Sequence, residues 1–340
     1  MTFGKYGRAR TLAPAYLFGL ASCLAGVPTF IVGPPASGKS TIILAVKRKL
    51  DEIGVPNAIV SRLGLRGLKR LCVKMKKARR FALLNEEYSL IGSSDYMVEK
   101  MGELIGTLSY QGYFYDPGLD VEVDVDALGF LSGVQPLWIM KMITNPVFTT
   151  FIREKFIRYY LLPYEPSPPI SQLEAINILT ERCEVRDLSP GFRIPDEFII
   201  ALTIQLGPTR AREYAPRIAK ALSLLMPQKY IYRALKFYAV RIAFEDDIIT
   251  KVLTEHGFRG SVRWREYTVL YWVLRLGKAT PKDIGECLGL KSTSSIYELL
   301  NAGIQAGWIT SQPESNSPGS RIVYLPNPEW AKKVAWGEER

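Results

Sequence analysis

The stretch Thr29 to Thr41 reads TFIVGPPASGKST. Phe30, Ile31 and Val32 make an apolar run of buried-strand length, and TIILAVKRKL beyond it carries Ile42, Ile43 and Val46 on one helical face. The pattern G-x-x-x-x-G-K-[ST] between them is filled by Gly33, Gly38, Lys39 and Ser40. Strand, glycine loop and helix in that order are a phosphate-binding loop of a nucleoside triphosphatase. Gly33 permits the turn out of the strand, and Gly38 lets backbone approach a phosphate oxygen. Pro34, Pro35, Ala36, Ser37 and Thr41 complete a cradle whose N–H groups converge at a helix N-terminus. Lys39 would neutralise the β- and γ-phosphates, and Ser40 would ligate Mg²⁺. The cofactors expected are ATP and Mg²⁺.

The 340 residues are 47% apolar and 23% charged, a globular composition with material for two or three domains. A net charge of +11 points to an anionic partner, nucleic acid before an acidic membrane. Cys23, Cys72, Cys183 and Cys287 are scattered without a C-x-x-C pair, which argues against a zinc site or disulfide framework and for a cytoplasmic protein. With His256 the single histidine, a multi-histidine metal centre is excluded. The N-terminal TLAPAYLFGLASCLAGV imitates a signal peptide but runs directly into the phosphate-loop strand, so a helix packed on the nucleotide domain is expected, with no membrane span.

Along the chain, a helix Lys39–Ile53 precedes a second strand, Asn57–Leu63. Leu65, Leu68, Leu71, Cys72 and Met75 then share one face of a helix whose other face is cationic. From Arg62 to Arg80 there are nine Lys or Arg and no acid, and Lys69, Arg70, Lys74 and Lys77 are candidates for nucleic-acid phosphate contact. The strand Phe81–Leu84 ends in Asn85-Glu86-Glu87. ATP hydrolysis needs one carboxylate near the metal and one to orient the attacking water. Two registers satisfy this. Either Asn85 replaces the metal-side acid and Glu86 is the base, or Glu86 is the metal-side acid and Glu87 the base.

A helix Ser93–Leu108 capped by Ser93 or Ser94 comes next, then a turn segment YQGYFYDPGLD and a strand Ala127–Leu131. Ser132 and Gln135 at its tip are candidates to sense the γ-phosphate, or simply belong to a polar loop. Arg153 and Arg158 lie before or at the start of a fifth strand, Ile157–Leu162. Either could reach a neighbouring subunit's phosphate, or close a helix end with a salt bridge. The proline-rich YEPSPPISQ reads as a linker near residue 165. Residues 166–260 are helical in pattern, with Arg210, Arg212 and Arg217 at a helix start, where the dipole disfavours cations and an anionic neighbour is called for. Nucleotide contact from this lid is expected of Arg210 and Arg212.

From 261 to 330 the order is helix, helix, turn, helix, then two short strands around a Ser/Pro/Gly/Asn loop, followed by a tail, 331–340. That is a winged-helix pattern, which would offer Lys291, Ser292, Thr293, Ser294, Ser295 and Tyr297 to the major groove with Arg321 in the wing.

GPPASGKS resembles the GPP-x-x-GK-[ST] loop of AAA+ ATPases, and the order of elements resembles the initiator type, such as origin-recognition proteins and the minichromosome maintenance helicase. NEE departs from the family's DE. The resemblance implies an α/β P-loop sheet of five parallel strands with a helical lid and a C-terminal winged helix. It implies a homo-oligomeric ring or filament with ATP sites between subunits. Lys39, Ser40 and Glu86 would then bind and hydrolyse ATP, with Arg153 or Arg158 acting in trans and Arg210 or Arg212 from the lid. The expected partner is double- or single-stranded DNA, in replication, remodelling or mobile-element transactions. A nucleotide-regulated transcription factor, a signalling ATPase and a genome-packaging ATPase are the alternatives.

Overall fold

The computed structural model describes residues 7–33, 37–62, 64–88, 95–118, 120–135, 138–139, 154–161, 172–180, 192–244, 273, 278–288, 294–305, 307, 309–315 and 317–327. They fall into two compact units, residues 1–161 with 169–242, and residues 162–168 with 243–340. The helices expected as a separate lid therefore pack with the sheet as far as residue 242.

The first unit is built on five parallel strands: β1 (Pro28–Val32), β2 (Asn57–Ile59), β3 (Arg80–Asn85), β6 (Ala127–Val134) and β7 (Ile157–Tyr160). Their order across the sheet is β2-β3-β6-β1-β7. β1 lies inside the sheet and all five of its residues are buried. This is why its sequence is continuously apolar rather than alternating. Helix α1 (Gly7–Ala25) and helix α2 (Lys39–Glu52) cover one face. α1 comes so close to β6 that a Cβ on Gly129 would run into the Cys23 backbone, 2.6 Å from its Cα, and one on Gly19 would press on Leu131 Cδ2 at 3.0 Å. The apolar N-terminal run is thus a core helix, as its continuity with β1 requires. No helix among the described residues is long and apolar enough to cross a membrane.

Helix α4 (Asp95–Gln111) lies on the other face, beside an aromatic cluster. Phe30 stacks on Phe156 at 4.7 Å and meets Tyr88 at 5.0 Å, and Tyr88 meets Trp138 at 4.8 Å. The expected cap at Ser93 or Ser94 lies outside the described residues. Helix α3 (Leu65–Ala78) buries Leu68, Leu71, Cys72 and Met75 as its periodicity predicts, but Leu65, expected on the same face, is 49% exposed at the first turn. What it buries them against differs from expectation. The segment read as a turn is an antiparallel hairpin, β4 (Tyr113–Asp116) and β5 (Val121–Asp124), and α3 packs on β5. VEVDVD alternates because Val121, Val123 and Val125 point inward.

Among the described residues, helices α5 (Gln172–Thr180), α6 (Asp196–Leu206), α7 (Pro208–Ser223) and α8 (Gln228–Phe244) follow. Gln205 on α6 closes the edge of β7. Its Oε1 accepts from the Arg158 N–H at 2.9 Å, and its Nε2 donates to the Arg158 carbonyl at 3.0 Å. One side chain thereby serves a strand edge that would otherwise leave backbone groups unpaired.

In the second unit, helix α9 (Pro281–Leu288), helix α10 (Ser294–Gln305) and a hairpin of β8 (Ile309–Pro313) and β9 (Ile322–Pro326) are described. Ala279 adds an antiparallel bridge to Tyr324, with bonds of 3.0 and 2.9 Å. The helix expected before Gly277 lies mostly outside the described residues. Thr280 and Asp283 form a capping box, in which Thr280 N donates to Asp283 Oδ2 at 2.8 Å and Asp283 N donates to Thr280 Oγ1 at 3.2 Å.

Candidate nucleotide site and cationic face

The candidate site stands at the C-terminal ends of β1, β3 and β6, where open parallel sheets bind ligands. Gly33 leaves β1 with its N–H bonded to the Val134 carbonyl at 3.0 Å. Gly38 caps α2 with φ 97°, a left-handed conformation suited to glycine. A Cβ on Gly33 would lie 2.6 Å from Ser37 Oγ, and one on Gly38 would lie 2.8 Å from Leu12 of α1. A side chain at Gly33 would push Ser37 aside, and at Gly38 the left-handed backbone would strain any side chain as well as displace Leu12. Pro34, Pro35 and Ala36 lie outside the described residues.

Lys39 is the first residue of α2 and only 7% exposed. Its ammonium donates to the Gly33 carbonyl at 2.7 Å and so is folded across the loop. Ser40 is half-buried and Thr41 buried. Ser37 Oγ is buried without a hydrogen-bond partner among the described residues. A buried orphan hydroxyl, an adjacent ammonium and the free N–H groups of a helix N-terminus make a donor set for an anion. These residues fit a triphosphate. They also fit a hard cation, through Ser40 and a carboxylate.

The carboxylates directly follow β3. Asn85 is its last residue and is fully buried. It pairs in register with Ser132 of β6. Its amide nitrogen donates to the Val60 carbonyl beyond β2, and its Oδ1 accepts from the Ser132 hydroxyl at 2.8 Å. Ser132 is also in register with Phe30, so both polar residues lie on the aromatic-cluster face. Gly133, one residue on, faces the other way. A Cβ there would lie 3.2 Å from Lys39 Cβ and run into the Glu86 carbonyl oxygen. Glu86 follows β3, and its main-chain carbonyl lies against Gly133 on the Lys39 face.

Two expectations are corrected by this geometry. Asn85 cannot stand in for a metal-side acid, because its amide joins three strand ends on the wrong face. Ser132 cannot sense the γ-phosphate, because its buried hydroxyl is given to Asn85. Glu86, Glu87 and Gln135 are all half-buried at the strand tips. Gly133 was missed by sequence reasoning, although its place in FLSGVQP, two residues before a polar strand end, was a usable signal.

The arginines are corrected too. Arg158 is 1% exposed inside the first unit and its guanidinium donates to the Phe156 carbonyl at 2.9 Å, so it cannot extend to a neighbouring subunit. Arg153 lies outside the described residues. Arg210 donates to the Glu154 carbonyl at 3.0 Å and lies over the Tyr110 ring. Arg217 donates to the carbonyls of Ala25 at 2.8 Å, Gly26 at 2.7 Å and Ser109 at 3.1 Å, and to Glu213 at 3.0 Å. Glu154 precedes β7 and Gly26 precedes β1, so α7 is docked at the N-terminal edge of the sheet. That edge is opposite the phosphate loop. For Arg217 the negative neighbour is the C-terminal end of α1, whose carbonyls carry partial negative charge, and for Arg210 it is Glu154. Exposed Arg212 rides on the same docked helix.

The cationic face of α3 is exposed at Arg66, Lys69, Arg70, Lys74 and Lys77. It is not wholly without acids, as its own stretch suggested. Asp120 and Glu122 of the hairpin region come within 3.6 Å of Lys69 and 3.3 Å of Lys76. In the second unit, Tyr297 on α10 is 48% exposed and Arg321 is exposed before β9. Ser294 opens α10 and is exposed; Lys291, Ser292 and Thr293 lie outside the described residues, and of Ser295 only the backbone is described.

No family model and no curated protein matches this chain. Among solved structures it is similar to the ORC1 protein of Aeropyrum pernix in complex with DNA, at 15% identity over 96% of this chain and 92% of that one, with a TM-score of 0.30. It is also similar to Drosophila ORC bound to DNA (12% identity, 94% and 83% covered, TM-score 0.26) and to NtrX from Brucella abortus (12% identity, 86% and 67% covered, TM-score 0.27).

Proposed function

We propose that this chain is an ATP-hydrolysing, DNA-binding switch or motor of the AAA+ type, acting in DNA replication or a related DNA transaction. The observation that carries the reading is the meeting of Lys39 and the Glu86 main chain at Gly133, beside a loop whose buried Ser37 hydroxyl has no partner among the described residues. Bound Mg²⁺–ATP supplies the phosphoric anhydride that is cleaved. Lys39 exchanges its bond to the Gly33 carbonyl for phosphate oxygens and holds their charge. Ser40 offers a hydroxyl to the metal. The Glu86 main chain lies against Gly133 on the Lys39 face, so we assign Glu86 the essential role, with Glu87 beside it. Gln135 replaces Ser132 as the polar residue at the tip of β6. An arginine acting between subunits of a ring or filament falls to Arg153.

The DNA-binding part rests on α3 and on the second unit, read as a winged helix that presents α10 and the β8–β9 wing. The resemblance in element order supports replication over the other transactions. Purified protein should hydrolyse ATP at a rate raised by DNA, about 0.1–100 per second for a motor and far slower for a switch. Lys39→Ala should abolish that hydrolysis. Equal rates with and without DNA, together with no DNA binding at low salt, would sink the reading.

A further inference from the structure

The cations around α3 divide into those already paired and those left open. Lys69 and Lys76 are turned toward Asp120 and Glu122. Arg66, Arg70, Lys74 and Lys77 are exposed and have no ion-pair partner among the described residues, and the same holds for Arg62 before the helix and Arg79 after it. At 1.5 Å rise per residue the steps 66, 70, 74 and 77 recur about every 4.5–6 Å along one stripe. That is close to the step between successive phosphates of one strand. The stripe points away from the core, because Leu68, Leu71, Cys72 and Met75 occupy the opposite side of the helix.

Two further observations shape this surface. On the hairpin side it is bordered by Glu122, 3.3 Å from Lys76, and Asp124, exposed two residues further along β5, has no ion-pair partner among the described residues. A polyanion is repelled from that border and held to the helix. At the far end Arg79 adopts φ 57°, a conformation that glycine takes without strain and arginine does not. Its carbonyl is fixed by the Asp126 N–H at 2.8 Å. The position therefore carries a cation where the backbone favours glycine.

We propose that the α3 stripe is a sequence-independent track for a single phosphodiester backbone of a nucleic acid, fenced on one side by the carboxylates of β5. The proposal rests on the DNA-binding reading above and gives it a location and a mode. Only charge and spacing are offered along the stripe, so base sequence is not read there. The track begins just beyond Val60, whose carbonyl holds Asn85 next to Glu86. A backbone lying on it ends beside the strand tips of the candidate nucleotide site.

The test uses the full chain and fluorescein-labelled oligonucleotides of two unrelated sequences, single-stranded and duplex, titrated by anisotropy across a salt series. The variant Arg66→Ala/Arg70→Ala/Lys74→Ala/Lys77→Ala should keep the wild-type melting temperature. Its slope of log K against log salt should fall by roughly 3–4 for duplex, or by about 3 for single strands, alike for both sequences. Whichever form shows the full loss is the physiological track. Glu122→Lys/Asp124→Lys should tighten binding and steepen the slope by about 1–2. If the alanine variant does not fold, this gain decides the matter alone. An unchanged slope in the alanine variant, with ATP hydrolysis still stimulated by DNA, overturns the track and leaves the DNA-binding reading standing. Loss confined to one sequence overturns the track, as does loss of binding to anionic lipid vesicles with nucleic-acid affinity unchanged. No binding of wild type to any oligonucleotide at about 50 mM salt overturns both.

Discussion

Ser132 donates its hydroxyl to Asn85 Oδ1 at 2.8 Å, in a register pair between β6 and β3 with both residues fully buried. The Asn85 amide nitrogen donates onward to Val60. An aspartate could accept from Ser132 but could not donate to Val60, and it would bring a buried charge. Asn85→Asp should therefore cost about 3–5 kcal/mol, measured by urea unfolding, and should not raise ATP hydrolysis. A more active variant of unchanged stability would return position 85 to the metal site.

Gly133 leads to a second prediction. A Cβ there meets Lys39 Cβ at 3.2 Å and collides with the backbone carbonyl of Glu86. Backbone cannot swing aside as a side-chain tip can. Gly133→Ala should destabilise by about 1–3 kcal/mol and, by displacing Glu86, reduce hydrolysis more than nucleotide affinity. Comparing kcat with the affinity of a fluorescent ATP analogue would check this. Equal losses in both would place the damage at Lys39 instead.

What could be read from sequence was what is local. The phosphate loop declares itself because Gly33, Gly38 and Lys39 answer to steric and charge requirements within six residues. β1 and α1 declare themselves because burial on all sides leaves an unbroken apolar run. The β4–β5 hairpin did not, since Tyr113–Asp116 is short and its tight turn looks like loop. The faces of the strand tips were also hidden: register with β6, not the NEE string, puts Asn85 with Ser132. The arginines of α7 were expected to face a nucleotide, whereas Arg217 meets the carbonyls of Ala25 and Gly26, nearly two hundred residues earlier and invisible to a side-chain inventory.

Arg217 should consequently behave as a structural clamp. Its guanidinium serves three carbonyls and one carboxylate while being about a quarter exposed. Truncation to alanine would leave the last carbonyls of α1 without these donors, at a cost of about 2–4 kcal/mol by chemical denaturation. Lysine should recover little, because one ammonium cannot reproduce the fork. ATP affinity of the folded fraction should stay within about twofold, since the clamp sits at the edge opposite the loop. A tenfold loss of ATP affinity at unchanged stability would restore Arg217 to the nucleotide site.

The capping box of α9 makes the second unit acid-sensitive. Hydrogen bonds from the Thr280 backbone and then its side chain hold the Asp283 carboxyl below its ordinary 3.8. A carboxylate whose folded pKa is depressed stabilises the fold above the unfolded value and loses that contribution as pH falls through the folded one. The α9 cap should therefore be intact above about pH 4 and lost progressively below it, with the α9 amides opening to hydrogen exchange before those of β1. Asp283→Asn should flatten this acid dependence while costing about 0.5–1 kcal/mol at neutral pH, because the side-chain oxygen still accepts but its charge is gone. An Asp283→Asn variant with the wild-type acid profile would move the sensitivity to another carboxylate.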